Sequence, residues 1–395
     1  MADWLELTLG ELADIQTGPF GSQLHASDYV DYGIPSIMPK DIGQRLEINL
    51  DSIAYITEED AQRLERYRVK PSDLVFSRRG DVEKCAYITD DMNGWLCGTG
   101  CLKVSFLPGA LASPKFMAYY FSTRESKHWL SAHAVGTTMP NLNSTILGNF
   151  PVELPPLPEQ EAITAVLASL DDKIDLLHRQ NKTLESLAQT LFRHWFIDGA
   201  EDDWEERPLD KIADYLNGLA CQKYPPENEA ERLPVLKIKE LRNGLSDQSD
   251  WATSNVSDEY IVENGDVIFS WSGSLMVKIW DGTSCVLNQH LFKVTSAEFP
   301  KWFYYLWTIY HLEKFIAIAA SKATTMGHIK RGDLSNSMVL IPSQQELEKM
   351  DRAIAPLLDK LILNNRQIAK LTALRDTLLP KLMSGEVRVR LRQQN

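Results

Sequence analysis

Trp4-Leu5-Glu6-Leu7-Thr8-Leu9-Gly10-Glu11-Leu12-Ala13-Asp14 opens the chain, and Trp204-Glu205-Glu206-Arg207-Pro208-Leu209-Asp210-Lys211-Ile212-Ala213-Asp214 opens it again 200 residues later. The echo continues in order. Ile34-Pro35…Lys40-Asp41-Ile42 is answered by Leu233-Pro234…Lys239-Glu240-Leu241, and Asp73-Leu74-Val75-Phe76-Ser77…Gly80 by Asp266-Val267-Ile268-Phe269-Ser270…Gly273. Pro114-Lys115-Phe116 returns as Pro300-Lys301-Trp302, and Thr137-Thr138-Met139 as Thr324-Thr325-Met326. Each copy closes on a helical stretch, with Asp172-Lys173 and Arg179-Gln180 in the first and Asp359-Lys360 and Arg366-Gln367 in the second. A period this long exceeds that of any solenoid repeat. It predicts two copies of a head plus a long helix, related by a pseudo-twofold. Two similar heads on one chain suit a target that also comes in two halves.

The 395 residues, 44% hydrophobic and 24% charged, allow two ordinary domains with connecting helices. No apolar run reaches the roughly 18 residues of a membrane span, and Met1-Ala2-Asp3-Trp4 lacks a signal-peptide pattern, so a cytoplasmic location is expected. Cys85, Cys97, Cys101, Cys221 and Cys285 form no C-x-x-C pair and read as reduced, buried thiols.

The net charge of −13 breaks down unevenly: −7 over 1–157, −6 over 158–203, −4 over 204–342 and +4 over 343–395. No segment is a basic stripe. Alone, such a chain would hold nucleic acid weakly. It reads either as an acidic scaffold or as a subunit whose partners supply much of the phosphate contact.

Heads at 1–157 and 204–342 mix short β-branched and aromatic runs with turn signals, the α/β (α+β) pattern. In the first, Pro114–Leu130 has helical spacing. Pro151-Val152-Glu153-Leu154-Pro155-Pro156-Leu157-Pro158 breaks structure, and Pro158 suits the first turn of a helix over 158–203. There Ile163, Leu167, Leu170, Ile174, Leu177, Asn181, Leu184, Ala188, Leu191 and Trp195 alternate in steps of four and three. Within 343–395 the same seam recurs at Met350, Ile354, Leu357, Leu361, Asn364, Ile368, Leu371, Arg375, Leu378 and Leu382, with Pro380 expected to weaken its last turn. Each seam runs about 50 Å at 1.5 Å per residue. Two solitary heptad seams would each expose an apolar stripe, so they are expected to pair. Laid antiparallel with facing residue numbers adding to about 545, every seam position meets another: Leu177 with Ile368, Leu184 with Leu361, Leu191 with Ile354. The two seam asparagines, Asn181 and Asn364, then face each other and set register. Opposite Leu, either would be a buried amide without a partner, costing about 1–3 kcal/mol.

Enzyme signatures are missing. No Gly precedes a Lys, so there is no phosphate-binding P-loop; no G-x-G follows a strand, and the eight histidines show no metal spacing. The Asn/Asp-Pro-Pro-Tyr/Phe signature of amino-methyltransferases is absent too.

Leu154-Pro155-Pro156-Leu157-Pro158-Glu159-Gln160, the tail Leu379-Pro380-Lys381-Leu382-Met383-Ser384-Gly385-Glu386 and Gly18-Pro19-Phe20-Gly21-Ser22-Gln23-Leu24 stand within the order head, break, long helix, head, long helix. In these features the chain resembles the specificity subunit of type I restriction–modification systems. The resemblance implies two target-recognition domains, each reading one half of a split site in double-stranded DNA, with the helices setting the unread spacer. It also implies that two methyltransferase subunits bring S-adenosylmethionine and methylate adenine. It implies further that motor–nuclease subunits, using ATP and Mg, can join for cleavage. This chain itself would carry neither cofactor nor active site, and no membrane partner.

Base reading needs donors and acceptors on loops, with phosphate contacts fixing register. Ser77-Arg78-Arg79-Gly80 is the leading candidate in the first head, against the plainer reading of a solvated turn. Its counterpart, with Trp271 and Ser272, has no Arg, as expected of heads with different targets; Trp271 also reads as core. The loops holding Thr137, Thr138 and Asn141, and Lys322, Thr324, Thr325 and His328 with Lys330 and Arg331, read as phosphate cradles or plain connections. Phe20, Ser22 and Gln23 match Gln222, Lys223 and Tyr224, while Lys40 matches Lys239; these could touch DNA or only neighbouring carboxylates. Tyr119, Tyr120, Trp302, Tyr304 and Tyr305 read as core. The rival from another class is a non-DNA scaffold or inhibitor that sequesters the same partners; an enzyme acting alone is disfavoured by the missing motifs.

Overall fold

A computed structural model describes residues 4–136, 138–246, 248–321 and 327–389. The chain divides into two compact units, Met1–Asp171 with Ala373–Asn395, and Asp172–Thr372. The division falls inside both long helices, so each unit is one head with a stretch of each helix.

In the first unit, Ala13–Thr17, Cys101–Phe106, Leu74–Ser77 and Cys85–Tyr87 lie in that order in an antiparallel sheet. Leu74–Ser77 is buried along its whole length because both faces are covered. Leu74 and Phe76 face the main core, and Val75 faces a second cluster with Ile37, Ile88 and Cys101. That explains a continuous apolar run where a half-exposed strand would alternate. A second sheet, Tyr29–Val30, Ala54–Ile56, Ile34–Ile37 and Leu96–Cys97, includes one parallel pair. Leu5–Thr8 pairs antiparallel with Pro151–Leu154, tying the start of the head to its Pro-rich end.

The expected helix from Pro114 breaks at Thr123 into Pro114–Ser122 and Arg124–His133. Thr123 is extended, and its hydroxyl accepts the amide of Ser126 at 3.2 Å, so it starts a new helix instead of continuing the old one. The first helix packs Phe121 edge-on against Phe76, ring centroids 4.8 Å apart. Tyr119 is buried as expected, while Tyr120 is half-buried.

The second unit repeats the plan. Asp214–Asn217, Leu291–Thr295, Val267–Ser270 and Met276–Ile279 form the antiparallel sheet. Trp251–Thr253, Arg232–Leu236, Cys285–Leu287 and Ile261–Val262 form its companion, and Glu205–Pro208 pairs with Met338–Ile341. Trp302, Tyr304 and Tyr305 are buried on Lys301–Tyr310. All five cysteines are buried and free.

The first long helix is Leu157–Arg193, 37 residues and about 56 Å, followed by a π-helical turn His194–Asp198. The second is Gln344–Met383. Pro380 does not shorten it. Leu382 and Met383 are buried in the first unit's core beside Ile163 and Leu167, which outweighs one lost backbone bond. In that unit Asp171 accepts from Tyr119 Oη at 2.7 Å and from Arg375 Nη1 at 2.9 Å. Gln160, fully buried, donates to the carbonyls of Leu111 and Pro155 and accepts the Ser113 amide, so the Leu-Pro-Pro-Leu-Pro-Glu-Gln motif staples helix to head.

In the second unit Ile174 and Leu177 pack with Ile368 and Leu371, and Leu184 and Leu191 pack against the core that holds Leu361 and Ile354. The helices pair antiparallel. Asn364 Nδ2 donates to Asn181 Oδ1 at 2.9 Å, and Asn181 Nδ2 donates to Asn365 Oδ1 at 2.6 Å. Asn365 is an addition to the expected pair.

Candidate nucleic-acid interface

Each head places one turn against one crossing segment. In the first, the turn after Leu74–Ser77 meets a second segment through a bridge of Arg79 to Asn141, and within that segment Val135 bridges Asn141. The Gly80 amide donates to the Pro140 carbonyl and the Leu142 amide to the Arg78 carbonyl. Ser77 lies in the interior with no exposed surface, and its hydroxyl donates to the Arg79 carbonyl at 3.1 Å. It shapes the turn and is withdrawn as a DNA contact.

Arg78 is half-buried. Its Nε donates to Asn141 Oδ1 at 3.3 Å, and its guanidinium carbon lies 5.7 Å from the centre of the Phe20 ring, which is 55% exposed. Burial and the neighbouring Arg79 charge both lower the Arg78 pKa from its ordinary value, without threatening its charge near neutrality. Arg79 is exposed, and neither arginine has a carboxylate partner among the described residues. Three separately expected stretches, Phe20, Arg78-Arg79 and Asn141, therefore converge. Ser22 is exposed beside them in sequence; Gln23 is not free, since its Oε1 accepts from the Phe20 amide and from Tyr67 Oη. Thr138 is exposed, whereas Thr137 lies outside the described residues. Lys40 is exposed but bound to the Ser52 carbonyl at 2.7 Å, and its neighbour Asp41 is wholly buried.

In the second head the turn after Val267–Ser270 bridges Ser272 to His328. Trp271 Nε1 donates to Asn217 Oδ1 at 3.0 Å, and its ring stacks on Phe292 with centroids 5.7 Å apart. Ser272, buried, pairs its hydroxyl with His290 Nδ1 at 3.1 Å. His328 is exposed, edge-on to Trp271. Lys330 is exposed and its amide caps a short helix through Asp333; Arg331 donates to the Tyr215 carbonyl. Gln222, with Cys221, Lys237, Trp251 and Asn288, lines a polar cleft of about 470 Å³. Lys223, Tyr224 and Lys239 are exposed. Lys322, Thr324 and Thr325 lie outside the described residues.

Residues 1–186 and 201–373 each match the model of the type I restriction modification DNA specificity domain. The chain belongs to that family. It is 26% identical to the type I restriction enzyme MjaIX specificity subunit of Methanocaldococcus jannaschii, over 98% of this chain and 94% of that one. Identity to the HindI specificity subunit of Haemophilus influenzae is 19%, over 98% and 100%. The fold is similar to the crystal structure of a type I restriction–modification S subunit from M. genitalium, with a TM-score of 0.59 and 16% identity over 96% of both chains.

Asn217 and His290 of this specificity chain escaped the sequence reading. A signal existed. Gly18 and Gly218 each leave no room for a Cβ against a carbonyl, of Gly98 and Asn288 respectively. Aligning those contacts places Asn288-Gln289-His290 opposite Gly98-Thr99-Gly100, at the same turn. No cluster of three His, Cys, Asp or Glu suited to a metal, and no helix long and apolar enough to cross a membrane, occurs among the described residues.

Proposed function

We propose that this chain is a non-catalytic DNA-reading subunit of a type I restriction–modification complex, each head reading one half of a split site. One observation carries this. The two heads hold the same turn against the same crossing segment, yet furnish it differently: Arg78, Phe20 and Asn141 in one, Trp271, Asn217, His290 and His328 in the other. One frame with two furnishings suits two different half-sites. A protein reading chromosomal DNA works where that DNA lies, in the cytoplasm.

The long helices support docking of two copies of one partner. Leu176 and Leu187 on the first and Leu363 and Leu374 on the second are 41%, 45%, 57% and 47% exposed. Within each helix the pair is eleven residues apart, close to three turns and hence one face, and the internal repeat maps one pair onto the other. The partners are two methyltransferase subunits, which bind S-adenosylmethionine and methylate adenine; restriction subunits join that assembly, and the paired helices set the spacer. Adenine must leave the stack to be methylated, a step assigned to the partners.

Modified-base sequencing of the native cells with and without this gene tests the proposal. Methylated adenine should vanish from one split motif on deletion. An unchanged methylome, with the partner genes expressed, would sink it.

A further inference from the structure

The geometry points to Arg78 as the reader of a guanine, in the major groove, within the half-site bound by the first head. The inference rests on the DNA-reading function proposed above.

A guanidinium has a one-nitrogen corner at Nε and a two-nitrogen edge at Nη1 and Nη2. In Arg78 the Nε corner is occupied by Asn141 Oδ1 at 3.3 Å and one side is flanked by the Phe20 ring at 5.7 Å. No carboxylate pairs with it among the described residues. The two-nitrogen edge remains, and it is that edge which matches O6 and N7 of guanine as a bidentate pair. Asn141 and Phe20 limit the side chain's rotamers beforehand, so less entropy is lost when it docks.

The same edge would also fit a phosphate, and the second head together with the contacts that aim Arg78 decides between them. A phosphate contact serves any sequence, so two heads built on one frame should both keep it. At the equivalent turn the second head has Trp271, a neutral indole tied to Asn217. A group replaced so completely between heads behaves like a base reader. Arg79 is replaced as well, by the buried Ser272, so replacement alone does not single out Arg78. What does is that Asn141 and Phe20 aim Arg78, whereas Arg79 is exposed with no aiming side chain among the described residues, which makes it the comparison.

The test uses the full chain co-purified with its methyltransferase subunits, and methylomes of cells carrying wild type, Arg78→Lys or Arg79→Gln. The motif should contain a guanine in one half that Arg78→Lys, which keeps charge but loses the fork, relaxes to any base while the other half is unchanged. Affinity of Arg78→Lys for the cognate duplex should fall roughly 10- to 100-fold. Replacing that guanine by 7-deazaguanine, which lacks N7, should weaken wild type but not weaken the variant further. Arg79→Gln should weaken cognate and altered duplexes alike, with a shallower salt dependence. If Arg78→Lys leaves the motif intact, or weakens every duplex equally, the assignment is overturned. Should Arg78→Lys fail to fold, Asn141→Ala, which leaves the guanidinium present but unaimed, decides the same question by relaxing that position or leaving it intact. A wild type that methylates no split motif would overturn the proposed function itself, whereas failure confined to the Arg78 and Asn141 variants leaves it standing.

Discussion

Asp41 shows how far a single side chain's environment departs from its sequence appearance. Beside Lys40 it looks like half of a surface ion pair, yet it has no exposed surface, one oxygen accepts the Met38 amide at 2.9 Å, and Oδ1 has no hydrogen-bond partner among the described residues. Burial raises its pKa above the ordinary value, with the Met38 amide and Lys40 opposing more weakly. A carboxyl whose folded pKa is raised holds its proton more tightly when folded. Its contribution to stability is therefore full below the unfolded pKa and is lost as pH rises through the folded one. Asp41→Asn removes that loss. Thermal melts should show the variant gaining on wild type at pH 7 and the gain shrinking towards pH 4; an equal difference at both pH values would contradict the assignment. Arg78 teaches the same lesson at the interface, because its Nε contact with Asn141 joins residues 63 positions apart.

The paired helices are the elements whose arrangement was most legible. Alternating steps of four and three named the seam, and matching asparagine to asparagine named the register, because a buried amide opposite Leu is costly. Asn364 is fully buried, and its Nδ2 reaches both Asn181 and, at 3.5 Å, Gln180. Asn364→Leu alone should cost about 1–3 kcal/mol, since it takes the donor from Asn181 Oδ1 and leaves Asn181 only its bond to Asn365. The double change Asn181→Leu with Asn364→Leu should cost less than the two singles together. Urea melts of the four proteins give the coupling; strict additivity would remove the pair's role in register. The break at Thr123 was not legible, because Pro114–Leu130 keeps its apolar spacing across the break. Only the Thr123 hydroxyl, capping Ser126, marks a new start. Pro380 misled in the other direction, since burial of Leu382 and Met383 lies in contacts far along the chain.

For the whole molecule, the acidic balance and the missing enzyme motifs both fit a chain that works through partners. The exposed leucines are the docking face proposed above. Leu176→Glu with Leu363→Glu, both on exposed positions, should leave the unfolding free energy within about 0.5 kcal/mol of wild type while abolishing co-purification of methyltransferase subunits. Retained co-purification would move the docking surface elsewhere.

Two heads, two long helices, their direction and their register were readable from residue order alone, because repeats and heptads are periodic and periodicity is a local property. The family followed from the same order. Which side chains meet at each turn was decided by tertiary structure. Ser77 turned inward, Gln23 became an internal strut, and Phe20, Arg78 and Asn141 came together from three distant stretches. Such meetings depend on how strands are ordered in a sheet and how segments cross it, and no local spacing encodes them.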